Sequence, residues 1–219
     1  ATTLIAYSLT QSSNGHTANW SAIRDAAMSH GALVLCDITQ SSSWLDVSAN
    51  NFDITVCNAY KWMCLPRSTG FMTLNPESDL SWLRPLAAAW YACDDMFGSC
   101  YGPHITLSES AKKFDVSPNW LLWPPAAATL ALFAAALAED SDAIARHNCA
   151  LARELRESLG LAAPTDAGSD RCHPFVTLPD PEGEIERKLV AGGLVVAARN
   201  GAVRISFHIW NTSSDIQLV

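Results

Sequence analysis

Asp37, Lys61 and Arg204 are side chains of reactive kinds; Asp37 and Lys61 stand at or just past the end of an apolar run, and Arg204 lies on a late one. Lys61 is the most demanding of them. It lies in "TVCNAYKWMCLPRSTGF", with Tyr60 before it and Trp62, Met63 and Cys64 after it. An ammonium among such neighbours is costly to desolvate. Desolvation favours the neutral amine, and a neutral amine is a nucleophile or a base. Asp37 closes the apolar run "ALVLCD", and Gln40 follows it in "DITQ". Arg204, in "VRISFHIW", offers a planar fork for a carboxylate. Each also has a plainer reading: Asp37 as a turn cap, Lys61 as a surface lysine with its stem on apolar neighbours, Arg204 as a sheet-edge charge. Their order and spacing carry more than any one of them.

The elements that must position these residues alternate. Leu4 to Leu9 reads as a strand and "HTANWSAIRDAAMSHG" as a helix ending at Gly31. "ALVLCD" reads as a strand ending at Asp37, with "FDITVCNA" and "TGFMTLN" as further strands before and after the lysine. This alternation predicts an α/β fold with a mostly parallel sheet, in which ligands gather at the carboxyl ends of strands. Asp37 and Lys61 both fall just past such an end. An aromatic, loop-rich middle follows. It includes "WYACDDMFGSCYGP", with Trp90, Tyr91, Phe97 and Tyr101, read either as a core flap or as a wall shaping a substrate. "WLLWPPAAATLALFAAALA" is apolar, but Pro124-Pro125 is expected to break a helix near its start. About 13 residues then remain, roughly 20 Å, too short for a bilayer. Helices are predicted near 126–139 and 140–159, then a strand at 174–178, a helix at 182–192, and two short strands, "LVVAAR" and "AVRISFH". The chain divides into residues 1–130, part of a large α/β domain, and 131–219, a small α+β domain.

Of the 219 residues, 49% are hydrophobic and 16% charged, which supports a sizeable core and argues against disorder. A net charge of −8, with no run of Lys or Arg, disfavours nucleic acid or an anionic membrane surface as a general partner. The seven cysteines include no C-x-x-C and read as reduced, buried small hydrophobes of a cytoplasmic protein. The histidines show no metal spacing, so no metal site is expected. No G-x-G-x-x-G follows a predicted strand, which disfavours a Rossmann-type nucleotide binder. The chain enters a strand almost at once and stops at a helix start, so it is expected to be part of a longer polypeptide.

"DITQ", "AYKW", "PRSTGF" and "RISFHIWNTSSD", in that order, resemble the class V aminotransferase family of fold-type-I pyridoxal-phosphate-dependent enzymes, over most of the chain. The likeness is nearest the isopenicillin-epimerase-like and carbon–sulfur-lyase-like branch, where an Arg in the place of Arg199 precedes the carboxylate-binding strand. The resemblance implies pyridoxal 5'-phosphate as cofactor, a Schiff base at Lys61, and Lys61 as the base that then moves the α-proton. It implies Asp37 as partner of the pyridinium nitrogen and Gln40 as partner of the ring hydroxyl oxygen. Tyr60, where the family often has His, and Asn58 would assist at the cofactor phosphate. Arg204, with Arg199 near it, would bind the carboxylate of an amino-acid substrate. A homodimer is also implied.

The sequence departs from the family in places. Pro118 in "FDVSPNW" stands where the family has a threonine that reaches the neighbouring subunit's phosphate, and Ser117 is a weak substitute. The family's phosphate loop and ring-stacking aromatic would lie upstream of Ala1. A cysteine desulfurase would need a nucleophilic Cys shortly before the Arg-x-Ser strand. None lies between Pro174 and Arg204, and Cys172 stands in a different connection. Two readings stay open: an amino-acid-transforming pyridoxal-phosphate enzyme (aminotransferase or C–S lyase), and a non-catalytic remnant keeping the fold as an interaction or structural subunit. Within the first, transamination, elimination and epimerisation are not separated.

Overall fold

A computed structural model describes residues 2–101, 104–162 and 173–219. The strand β2 (Leu33–Asp37) is nearly all apolar, with Val34 and Cys36 buried and Leu33, Leu35 and Asp37 half-buried. It pairs in parallel with β1 (Leu4–Ser8) on one side and with β3 (Ile54–Asn58) on the other. The crossover from β2 to β3 is made of turns and a 3-10 turn at Ala49–Asn51, with no α-helix. β4 (Gly70–Leu74) completes the sheet, in the order β1-β2-β3-β4, and runs antiparallel to β3. The short link from Asn58 to Gly70 holds no helix, and a strand rejoining its neighbour without a long crossover returns antiparallel.

Helix α1 (Trp20–Ser29) begins at Asn19, whose side-chain oxygen accepts the Ala22 N–H at 3.2 Å. Its Ala27 packs with Leu9, Val34, Cys36 and Phe52 against the first sheet. Helix α2 (Trp123–Glu139) includes Pro124 and Pro125, so the expected break does not occur. The two prolines occupy the first turn, where the N–H groups they lack have no intrahelical partner to lose. Residues 130 and 131 therefore both lie inside one helix. Among the described residues, no helix is long and apolar enough to cross a membrane.

After α3 (Ala143–Ser158), a second sheet forms from β5 (Phe175–Pro179), β6 (Ala197–Arg199) and β7 (Ala202–Ser206). It is antiparallel, in the order β5-β7-β6. Asn200 and Gly201, both left-handed at φ 53° and 70°, make the tight β6–β7 turn. α3, α4 (Glu184–Ala191) and α5 (Ser213–Ile216) cover this sheet through Leu151, Leu155, Val176, Leu189, Val203 and Ile216. A separate aromatic cluster, Trp44, Trp62, Phe133, Ile144 and Phe175, joins the two sheets. Cys36, Cys57, Cys93 and Cys149 are buried, Cys64 and Cys100 are half-buried, and Cys172 lies outside the described residues.

Candidate active site

A cleft of about 870 Å³ opens where β2 and β3 end and β4 begins. Asp37 and Asn58, the last residues of β2 and β3, stand on it with Thr39 and Ser68, and Ala111, Lys112, residues 114–119 and Trp123 form the facing wall. The size suits a small-molecule ligand, for which sites of about 300–1,000 Å³ are usual. One turn ties the two strand ends together. Asp37 Oδ1 accepts the Thr39 N–H at 2.8 Å, and Thr39 Oγ1 accepts the Asn58 N–H at 2.9 Å. Asp37 Oδ2 accepts no hydrogen bond among the described residues. Asp37 is thus the turn cap of its plainer reading and a cleft carboxylate as well, one oxygen for each. Thr39 was missed at the level of sequence, although its place two residues after an aspartate is the signal of a turn closed by an Asp side chain.

Lys61 lies on the turn after β3, exposed, and is not among the residues lining the cleft. Its Nζ sits 5.1 Å from the centroid of the Tyr60 ring, and the Arg67 guanidinium sits 4.6 Å from the same ring. The apolar surroundings expected of Lys61 belong to Ala59, Trp62 and Leu65, which are buried beside it. Cation–ring contact, rather than desolvation, accounts for the lysine's aromatic neighbour. Gln40 is buried, and its side-chain oxygen accepts the Trp62 indole N–H at 3.0 Å. Its amide nitrogen is the group left to donate to a ligand.

Arg204 and Arg199 stand apart from the cleft, on a narrow crevice shared with Ser12 and Ser13. Arg204 donates through Nη1 to the Ser12 carbonyl, and its guanidinium lies 4.8 Å from the Phe175 ring centroid. Its Nε is buried without a partner. Burial, and then the charge of Arg199, lower the Arg204 pKa from its ordinary value. No carboxylate pairs with either arginine among the described residues. The structure therefore joins Asp37 with Asn58 on the cleft, Tyr60 with Lys61 on the next turn, Gln40 to that turn through Trp62, and the two arginines in a crevice of their own. Trp90 contacts both Tyr91 and Phe97, Phe97 and Tyr101 are exposed, and none of the four lines the cleft.

No family model and no curated protein matches the chain. Solved structures do. A cysteine desulfurase from Thermococcus onnurineus NA1 superposes with a TM-score of 0.77 at 18% identity, over 98% of this chain and 57% of that one. The cysteine desulfurase CsdA from Escherichia coli gives 0.78 at 17%, over 99% and 57%. An aspartate aminotransferase of subgroup IV from Thermus thermophilus gives 0.73 at 21%, over 98% and 62%. The fold is that of the type-I pyridoxal-phosphate enzymes. The chain spans 57% of the length of each desulfurase, and identities this low carry the fold alone. In a type-I fold the donor set around this cleft fits the cofactor. On the cleft itself Asp37 has a free carboxylate oxygen of the kind a ring N–H would need, and Asn58 and Ser68 have polar side chains of the kind a phosphate would need, whereas Gln40, Tyr60 and Lys61 stand off its lining.

Proposed function

We propose that the chain belongs to a class V aminotransferase-like enzyme that uses pyridoxal 5'-phosphate to transform an amino acid, by transamination or C–S lysis, with Lys61 as the reactive amine. Asp37 carries this reading. It is a carboxylate at the carboxyl end of an inner strand of a type-I fold, with one oxygen fixed by Thr39 and the other uncommitted on a cleft of about 870 Å³. Bound pyridoxal phosphate supplies an aldehyde that captures amines and a ring that draws electrons from the substrate's α-carbon.

The rest is the chain's own work. Asp37 would hold a proton at the ring nitrogen, and Gln40 would donate its amide N–H to the ring oxygen. Asn58 and Tyr60 hydrogen-bond the phosphate. Lys61 would supply the amine that the cofactor's aldehyde captures and, as a free amine, the base for the substrate's α-proton. Arg204, which opens on its own crevice beside Ser12 and Ser13, would be the guanidinium fork for the substrate carboxylate, with Arg199 adding charge beside it. A homodimer is part of the same proposal.

A second reading, a non-catalytic subunit that keeps the fold, is favoured by the placement of Lys61 off the cleft lining and of the arginines in a separate crevice. Mixing the protein with pyridoxal phosphate, reducing with borohydride and mapping the adduct by mass spectrometry separates the two. The enzyme reading expects a visible imine absorption band and a modified Lys61, both absent in Lys61→Ala. A band that persists unchanged in Lys61→Ala overturns the assignment of Lys61, and a wild-type protein that acquires no band supports the second reading.

A further inference from the structure

His208 lies just beyond β7 and is buried between two indoles. The Trp62 ring is 5.2 Å away at 21°, and the Trp210 ring is 4.2 Å away at 6°. The Ile209 N–H donates to His208 Nδ1 at 2.8 Å, so the ring proton sits on Nε2, which donates to the Trp62 carbonyl at 2.9 Å. Stacking alone would be served by a phenylalanine, which carries no nitrogen to desolvate. Nor is the histidine needed to satisfy the carbonyl, because the Ser43 hydroxyl already donates to it at 2.8 Å. A second donor on one oxygen fixes the direction in which that peptide points.

The carbonyl so held belongs to Trp62, the residue after Lys61. The Cys64 N–H donates to the Lys61 carbonyl at 3.0 Å and closes the lysine turn. Cys64 itself is left-handed, at φ 54°, a conformation that a residue with a side chain keeps only when its surroundings impose it. The brace also reaches past the turn. The Trp62 indole holds the Gln40 side chain at 3.0 Å, and the Gln40 backbone carbonyl accepts the Trp44 indole N–H at 2.8 Å. One imidazole from the second sheet, 146 residues along the chain from Trp62, thus clamps a strained turn and the loop after β2 together.

We propose that His208 is a positioning residue for Lys61, coupling the lysine turn and Gln40 to the second sheet as one unit. The inference rests on Lys61 being the reactive amine.

Two variants separate the histidine's ring stacking from the hydrogen bond it donates. His208→Phe keeps a ring between the indoles and removes the donor, whereas His208→Gln places an amide N–H near the position of Nε2 and removes the ring. Amide hydrogen exchange by NMR, in protein without cofactor, reads the turn directly. In His208→Phe the Cys64 N–H is expected to exchange about 3- to 10-fold faster, the worth of a single net hydrogen bond. The Ala6 amide in the first sheet is expected to stay unchanged, and His208→Gln to return Cys64 to within roughly twofold of wild type. With pyridoxal phosphate added, the apparent Kd is expected to rise in His208→Phe and recover in His208→Gln. Wild-type exchange at Cys64 in the Phe variant, equal acceleration in both variants, or acceleration that extends to Ala6 each overturns the proposal. Failure of wild-type protein to form any adduct at Lys61 overturns instead the functional reading on which the lysine's role depends.

Discussion

At the scale of single residues, Asp37 performs two tasks with one carboxylate, and the two can be separated by chemistry. Asn keeps an oxygen able to accept the Thr39 N–H but carries no charge to hold a proton on a ring nitrogen. Asp37→Asn is therefore expected to stay within about 0.5 kcal/mol of wild type in urea unfolding. Turnover of an amino-acid substrate should fall on the order of 100-fold or more, the scale of a lost proton-handling group. Equal turnover in the two proteins would leave Asp37 as a turn cap only.

His208 gives a second prediction at this scale. Burial lowers its pKa below the ordinary 6.5. Below about pH 6.5 the unfolded chain then takes up a proton that the folded chain refuses, so stability rises with pH through that window and is complete above it. Melting temperatures compared between about pH 5 and 7 should fall toward acid more steeply in wild type than in His208→Gln. Parallel slopes would show that His208 does not carry that dependence.

At the scale of elements, the turn that follows β1 matters as much as the strands. It presents the Ser12 carbonyl to Arg204 and presses Gly15 against Phe175. Gly15 is left-handed, at φ 79°, and a Cβ there would lie 2.6 Å from Phe175 Cδ2. Gly15→Ala should cost about 1–3 kcal/mol in denaturant unfolding, from backbone strain and the contact together. A cost near zero would mean that the turn and Phe175 move apart freely. The strands β1, β2 and β3 were legible as apolar runs closed by polar residues, and Asn200-Gly201 was a two-residue hairpin waiting to be read. Pro124-Pro125 was misread because a proline ends a helix in its interior but starts one in its first turn, and only the position of the neighbouring turn tells which applies.

At the scale of the whole molecule, Phe175 is where the two sheets meet. It packs in the cluster with Trp44, Trp62, Phe133 and Ile144, its ring lies 5.3 Å from that of Trp62, and the Arg204 guanidinium rests on it. Phe175→Ala should lower stability by about 3–5 kcal/mol, the cost of a large core cavity, and should also loosen both Arg204 and the lysine turn. A change below about 1 kcal/mol in calorimetric unfolding would mean that the sheets are held together elsewhere.

What the sequence determined alone was local. Periodicity and turn residues set the order of strands and helices and put Asp37 at the end of a strand, because both follow from near neighbours along the chain. Tertiary structure decided the rest. It set β4 antiparallel, seated Trp62 rather than Lys61 in the apolar interior, and turned the Gln40 oxygen to an indole. It also opened Arg199 and Arg204 onto Ser12 and Ser13 instead of the cleft. Each of those outcomes depends on desolvation and packing by segments far away in sequence, and no local pattern reports which distant surface a side chain will meet.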